Sequence, residues 1–368
     1  MADTVDKIKC IVVDDDALMR ATIRQLLESD PQIEVIDTAG SGPVALKKIR
    51  EQCPDVVTMD VEMPGMDGIA LLREVMSDCP VPVVMVSSHT RAGTKKTLDA
   101  MEAGAVDCVA KPTGGKGANL RDIAALLIAK VKQASDINMA ALWSVAASAD
   151  GRIEKPRRPA PRAELSFDPQ HVIAVGISCG GPASLAEIFP DLPGHMPAML
   201  ITQHMPAGFT KSFAERLDRM TELNVKEAER GDEVRPDRVL IAPGDWHMTV
   251  RRRAKKLVVE LDQGPTVCSH RPSVDRLFRS VAEVCGSNCT GIIMTGMGND
   301  GAEAMGEIKR AGGATIAQDA DSSIVYGMPK AVVKLGHDDR SAALQDIFPM
   351  VVEALHASRH AAAQLTGA

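Results

Sequence analysis

Short apolar runs of strand length alternate with helix-periodic segments along almost the whole 368-residue chain, and this alternation restricts the fold more than any other feature. In the first half the runs fall at Ile8–Val13, Ile33–Thr38, Val56–Met59, Val83–Val86 and Ala105–Ala110. Between them lie helical spacings such as Ala17, Met19, Ile23, Leu26 and Leu27. In the second half they recur at Val172–Ile177, Ala198–Gln203, Val239–Ala242, Ile292–Thr295 and Thr315–Gln318, with helical patterns at Phe209–Arg219, Val274–Val284 and Ala302–Arg310. A βα order predicts parallel sheets covered on both faces, with functional groups at the carboxyl ends of the strands. At about 150 residues per domain, the length accommodates two such α/β units. Met248–Arg252 and Lys256–Glu260 read as a β-hairpin added to the second, and the basic run Arg251–Arg252–Arg253 as its solvated face.

The strand ends carry the chemistry. In the first half they deliver Asp14, Asp15 and Asp16, then Asp60, then Ser87, then Lys111 before Pro112. Acids gathered on one sheet edge repel one another unless a cation sits among them. In the second half, HVIAVGISCGG runs from His171 to Gly181 and predicts a strand, a sharp turn and a helix start with Ser178 at the apex. A hydroxyl there lies close to backbone N–H groups that could hold an oxyanion, although a serine before a helix serves equally as its cap. The next strand delivers His204 in QHMP, and a later one delivers Asp300 within TGMGNDG. Serine, histidine and aspartate at the strand ends of one sheet form a nucleophile, a general base and an orienting carboxylate. Singly, His204 could instead be a satisfied core histidine and Asp300 a turn residue. The order serine, histidine, aspartate departs from the serine, acid, histidine order of α/β-hydrolases. A dinucleotide site is excluded because the second strand ends in Gln203 and His204 rather than in an acid.

Composition narrows the class. A net charge of −7 argues against nucleic acid as a partner. The acidic, unbroken start MADTVDKIKCIVV is neither a signal peptide nor a membrane span, so no membrane insertion and a cytoplasmic location are expected. Eight cysteines are then free thiols. Neither Cys285 with Cys289 nor Cys268 with His270 has a second ligand pair at zinc spacing. The segment from Ser135 to Asp150 retains helical character, and Pro156, Pro159 and Pro161 deny regular structure to the basic stretch after it.

VVDDD, VVTMDVEMPGMDG, MVSS and VAKP resemble, in that order, the receiver domain of bacterial response regulators. The resemblance implies a flavodoxin-like (βα)5 fold with Asp60 as phosphoacceptor. It implies Mg2+ held by Asp14, Asp15, Asp60 and the backbone carbonyl of Glu62, with Asp16 as a helix cap. Ser87 and Lys111 would bind the phosphoryl oxygens, and the Lys111–Pro112 bond would be cis. Cys108 stands where receivers commonly carry an aromatic residue, which puts the usual hydroxyl-to-aromatic switch in doubt.

GISCGGP, ITQHMPAGFTKSFAERL, IAPGDWHM, HRPSVDRLF and IIMTGMGNDGAEAM resemble the catalytic domain of the chemotaxis protein-glutamate methylesterase family, whose members also act as glutamine deamidases. With the receiver in front, the resemblance covers essentially the whole chain. It implies a receiver at residues 1–134, a linker at 135–167 and a three-layer αβα, Rossmann-like catalytic domain with a β-hairpin at 168–358. It makes Ser178 the nucleophile, His204 the base and Asp300 the orienting acid, with the backbone amides of Cys179 and Met297 as oxyanion donors. Cys179 replaces the threonine usual in the family, which leaves the amide in place. The implied function is a phosphorylation-activated serine hydrolase of a two-component system. It would demethylate glutamyl γ-methyl esters, and deamidate glutamines, of methyl-accepting chemotaxis receptors, with a chemotaxis histidine kinase as phosphodonor and no cofactor for the ester chemistry. A second domain that only docks is the alternative, and release of methanol separates the two.

Overall fold

The apolar runs of the first half become β1 (Ile8–Val13), β2 (Ile33–Ala39), β3 (Val56–Asp60), β4 (Val83–Ser87) and β5 (Asp107–Ala110) in the computed structural model. It describes residues 6–87, 91–111, 120–150, 166–353 and 355; the Lys111–Pro112 bond and the proline-rich stretch at 151–165 lie outside them. The helices α1 (Ala17–Glu28), α2 (Gly42–Gln52), α3 (Gly68–Asp78), α4 (Arg91–Glu102) and α5 (Leu120–Ala134) alternate with these strands. The five strands pair in parallel in the order β2-β1-β3-β4-β5, the flavodoxin-like order. Every residue of β3 and β4 is buried, as a sheet covered on both faces requires. Helix α1 begins where it does because the Asp16 carboxylate accepts the Leu18 and Met19 N–H groups. The helical character of 135–150 takes the form of α6 (Met139–Asp150), which buries Ala141, Leu142 and Val145 and belongs to a first compact unit, Met1–Arg152.

The second unit, Ile153–Ala368, contains β6 (Val172–Ile177), α7 (Gly181–Ile188), β7 (Ala198–Gln203), α8 (Phe209–Asp218), β8 (Asn224–Glu227), β9 (Glu233–Val234) and β10 (Arg238–Ile241). It continues with β11 (His247–Arg253), β12 (Lys256–Asp262), α9 (Val274–Cys285), β13 (Cys289–Ile293), α10 (Ala302–Arg310), β14 (Ala314–Gln318), α11 (Met328–Leu335) and β15 (Arg340–Ala342). Seven strands form one parallel sheet in the order β15-β14-β13-β6-β7-β10-β8. From β6 the chain leaves to one side through β7 and returns on the other through β13, so the carboxyl end of β6 is a topological switch point, where α/β sheets open a crevice. The hairpin β11–β12 is joined by the two-residue β9 into a separate antiparallel sheet. Its basic residues are exposed and partly paired, Arg251 and Arg253 with Glu260 and Lys256 with Glu233. Helix α9 ties this sheet to the large one, because Leu277, Phe278 and Val281 share one core with Val250, Leu257 and Val259.

The helix also comes unusually close to the large sheet. A Cβ on Gly176 of β6 would lie 2.3 Å from Val274 Cγ1, so only glycine admits the first residue of α9 there. This contact sets the α9 N-terminus beside the strand ends.

At the opposite end of β6, His171 is buried between Asn288 Oδ1 and the Thr290 hydroxyl, each 3.0 Å from a ring nitrogen. A neutral ring satisfies both, donating to one and accepting from the other, and burial pushes the His171 pKa below its ordinary value of 6.5. The unfolded chain therefore binds the proton more readily. Stability from this site is full above about pH 6.5 and is lost as pH falls toward the lower folded value. Chemical denaturation at pH 7 and pH 5 should show a smaller loss on acidification in His171→Gln than in the parent; equal losses would remove His171 as a cause.

Candidate active site

Ser178 is the first residue beyond β6 and is only 3% exposed. Its N–H donates to the Thr295 carbonyl (2.9 Å), which continues the β13 pairing by one step. Its carbonyl accepts the Gly181 N–H (2.9 Å) and so closes a tight turn into α7. Gly180 caps that helix at φ 74°, a left-handed conformation that costs other residues. The Thr295 hydroxyl donates to the Cys179 carbonyl (2.9 Å) and accepts the Val325 N–H (2.9 Å), so the turn is held from the β13 side as well. The chain after β13 crosses directly over the serine, because a Cβ on Gly296 would lie 2.7 Å from Ser178 Cβ.

His204 follows β7, next to Ser178 across the sheet, with its N–H on the Ile177 carbonyl (3.1 Å). Its Nε2 is 2.8 Å from Asp300 Oδ2. Asp300 also accepts the Ser273 hydroxyl (2.8 Å), the Val274 N–H (2.7 Å) and the Asp275 N–H (3.1 Å). Burial opposes ionisation of this carboxyl, but the His204 ring and the backbone N–H groups outweigh it and hold its pKa below the usual value. An ionised Asp300 fixes the His204 tautomer with the proton on Nε2, leaving Nδ1 as the basic nitrogen. Nδ1 is buried and has no hydrogen-bond partner among the described residues. Ser178 Oγ lies 4.0 Å from Cys179 Sγ, a contact too weak to engage the hydroxyl firmly.

His270 stacks on His204, with ring centroids 3.8 Å apart and planes 8° from parallel. The turn that carries it has left-handed backbone at Cys268 (φ 49°) and Ser269 (φ 65°) and is anchored by Arg271, whose guanidinium binds Asp245 and the Gln263 and Gly264 carbonyls. His204, His270 and Asp300 each bring a potential ligand atom within 4.8 Å of the others. The stacked rings, however, direct their in-plane lone pairs side by side rather than at one ion, and Asp300 is already saturated by donors.

At the receiver edge Asp14, Asp60 and Ser87 are buried. Lys111 Nζ bridges Asp60 Oδ2 (2.7 Å) and Asp14 Oδ2 (2.8 Å), and the Glu62 N–H donates to Asp60 Oδ1 (3.2 Å). Burial raises the Asp60 pKa, and Lys111 offsets only part of that. Burial would lower the Lys111 pKa, but Asp14 and Asp60 outweigh it and raise it. The Ser87 hydroxyl accepts from Thr97 Oγ1 of α4 (2.7 Å). Asp14, Asp15 and Asp60 place carboxylate oxygens within 4.8 Å of one another, an all-oxygen set of the kind a hard divalent cation takes.

The sequence matches the CheB methylesterase family model over residues 173–351 and the response regulator receiver domain model over residues 10–123. A protein-glutamate methylesterase/protein-glutamine glutaminase of Anaeromyxobacter dehalogenans is 45% identical over 348 residues, 93% of this chain and 95% of that protein. One from Rhizobium johnstonii is 46% identical over 352 residues, 93% and 96% of the two chains. The chain belongs to this family. The crystal structure of the Thermotoga maritima CheB methylesterase catalytic domain is similar at 41% identity, covering 50% of this chain and 98% of that one with a TM-score of 0.49. No helix among the described residues of this methylesterase-family chain is long and apolar enough to cross a membrane.

Of the residues singled out from sequence, His204 and Asp300 are directly bonded and Ser178 is their neighbour at the next strand end. Met297 lies on the crossing loop, 42% exposed. Three contributors had no role assigned from sequence: Gln203, His270 and Ser273. Ser273 carries a signal in hindsight, a serine immediately before the helical pattern that begins at Val274. It caps α9 through the Arg276 N–H (3.4 Å) while donating to Asp300. Ser273→Ala should therefore lose about 1–2 kcal/mol of stability in denaturant titration, the range for an N-cap whose hydroxyl also serves a buried acceptor. An unchanged midpoint would show the cap to be idle.

Proposed function

We propose that the second domain is a serine esterase acting on glutamyl γ-methyl esters of chemoreceptors, and that the receiver raises its activity on phosphorylation at Asp60. The observation that carries this is the chain Asp300–His204 with a buried, unpartnered Nδ1 beside the Ser178 elbow. Nδ1 takes the Ser178 proton as Oγ bonds to the ester carbon, and the carbonyl oxygen becomes an oxyanion. The backbone N–H groups of Cys179 and Met297 are assigned to that oxygen. The tetrahedral centre then breaks its bond to the methoxy oxygen, which recovers the proton from Nδ1 and leaves as methanol. Water repeats the sequence on the acyl-enzyme, giving free glutamate and Ser178. A glutamine side chain follows the same course with ammonia as leaving group, so deamidation needs no further residue.

In the receiver, Asp14, Asp15 and Asp60, with the Glu62 carbonyl, would hold Mg2+, which supplies charge neutralisation for phosphoryl transfer. Asp60 accepts the phosphoryl group from a chemotaxis histidine kinase, and Lys111 and Ser87 bind its oxygens. Lys111 already bridges both buried carboxylates, so it is in place to follow the charge as it moves to the phosphoryl group.

Methanol release from methylated receptor tests the proposal. Ser178→Ala should abolish it, Cys179→Ser should keep most of it, and Asp300→Asn should lower it by up to about ten-thousand-fold. A phosphoryl analogue with Mg2+ should accelerate the full chain but not its Asp60→Asn variant. Activity that survives Ser178→Ala but is lost on alkylating Cys179 would move the nucleophile to the thiol.

A further inference from the structure

Gln203 is the last residue of β7 and is 1% exposed, too deeply buried to meet a receptor side chain. Its Nε2 donates to the Ser178 carbonyl (2.8 Å) and lies 3.2 Å from the His204 carbonyl. Both neighbours are acceptors, so only the NH2 end of the amide fits between them. The other end pays for that orientation, since Gln203 Oε1 is buried without a partner among the described residues. It lies against Gly181, where a Cβ would come within 2.1 Å of it, so any larger residue would displace the amide. A buried amide kept half-satisfied beside the nucleophile calls for a role that its NH2 group performs.

We propose that Gln203 is the positioning residue for the oxyanion donor at Cys179. The inference rests on the esterase mechanism above and deepens it. Ser178 C=O and Cys179 N–H belong to one planar trans peptide, in which the two bonds point in opposite directions. Whatever fixes the carbonyl thus fixes the N–H. Gln203 Nε2 and the Gly181 N–H together hold that carbonyl, which locks the plane and directs the Cys179 N–H away from the β7 side. Hydrogen bonds received at a carbonyl also polarise its peptide and strengthen the attached donor. The second contact of Nε2, on the His204 carbonyl, ties the base and the donor to one side chain, so both keep their places as charge develops between them.

The test uses the full chain with Gln203→Met, which keeps length and approximate volume but removes the donor. Because losing an oxyanion donor outright costs about 100- to 1,000-fold, misdirecting one should lower kcat by about 10- to 100-fold with KM within about twofold. The affinity of a boronic acid that forms a tetrahedral adduct with Ser178 should weaken by the same factor, with the pH profile of kcat/KM unmoved. Unchanged boronate affinity, or a loss confined to KM, would overturn the proposal. If this variant does not fold, Gln203→Glu decides: its carboxyl donates to the Ser178 carbonyl only when protonated, so its activity relative to the parent should rise as pH falls. A ratio flat with pH would overturn the assignment. Full activity in Ser178→Ala, together with no boronate adduct in the parent, would instead overturn the mechanism beneath it, and this proposal with it.

Discussion

The second domain is arranged around one buried carboxylate, that of Asp300. An anion removed from water is costly unless donors replace its hydration. Here the α9 N-terminus supplies two backbone N–H groups and the Ser273 hydroxyl, and His204 supplies the fourth donor. The positive end of the helix dipole lies where the charge is. This works only because α9 comes very close to the sheet. Val274 fits over Gly176 on one side and Gly301 on the other, where a Cβ would lie 2.3 Å and 2.4 Å from its Cγ1. Gly301 also has φ 91°, so the turn that presents Asp300 and the contact that admits the helix depend on the same residue. A methyl group at either glycine would withdraw donors from Asp300 and, through it, free the His204 ring.

Parallel topology does the rest. Strands β13, β6 and β7 are adjacent and run the same way, so Ser178 and His204, the first residues beyond β6 and β7, stand side by side, and the loop after β13 brings Asp300 to the same edge. In the proposed mechanism the nucleophile thus sits on the middle strand, with its base on one flanking strand and the orienting acid on the loop that follows the other. All three side chains are nevertheless buried at that edge. Stacking by His270 covers one face of the base, and the loop through Gly296 covers the serine.

That topology is why so much of the fold was legible in the sequence. Buried parallel strands are continuous apolar runs, and β6 and β7 appear in the sequence with the bounds they have in the structure. The strands that escaped notice, β8, β9 and β15, are short, and each contains one residue buried against its neighbours. One apolar residue leaves no period to detect. The same limit applies to the site. Ser178, His204 and Asp300 stand at strand ends, where local pattern alone draws attention to them. Gln203 and Ser273 act on atoms 25 and 27 residues away, through contacts that only the folded sheet creates. His270 is brought onto His204 by a turn with two left-handed residues, neither of them glycine, which gave no turn signal.

Two of the buried carboxylates, Asp300 and Asp60, are accommodated in different ways. Asp300 is surrounded by neutral N–H and O–H donors and by the ring it orients, which hold its pKa down and occupy both oxygens. Among the described residues, Asp60 has one cation, Lys111, on Oδ2 and one long N–H contact on Oδ1, and burial leaves its pKa above the ordinary value. The contrast matches the tasks that the proposed mechanism gives to the two groups. An orienting carboxylate has to keep its charge and its position through a reaction in which it gains no bond, so saturation suits it. A phosphoacceptor has to offer an oxygen lone pair to phosphorus, and an oxygen wrapped in several donors would be a poor nucleophile. The Lys111 ammonium group pairs with Asp60 without enclosing it, and in the proposed reaction the same lysine turns to the phosphoryl oxygens once the bond has formed. The incomplete solvation of Asp60 is therefore consistent with reactivity, as the complete solvation of Asp300 is with permanence.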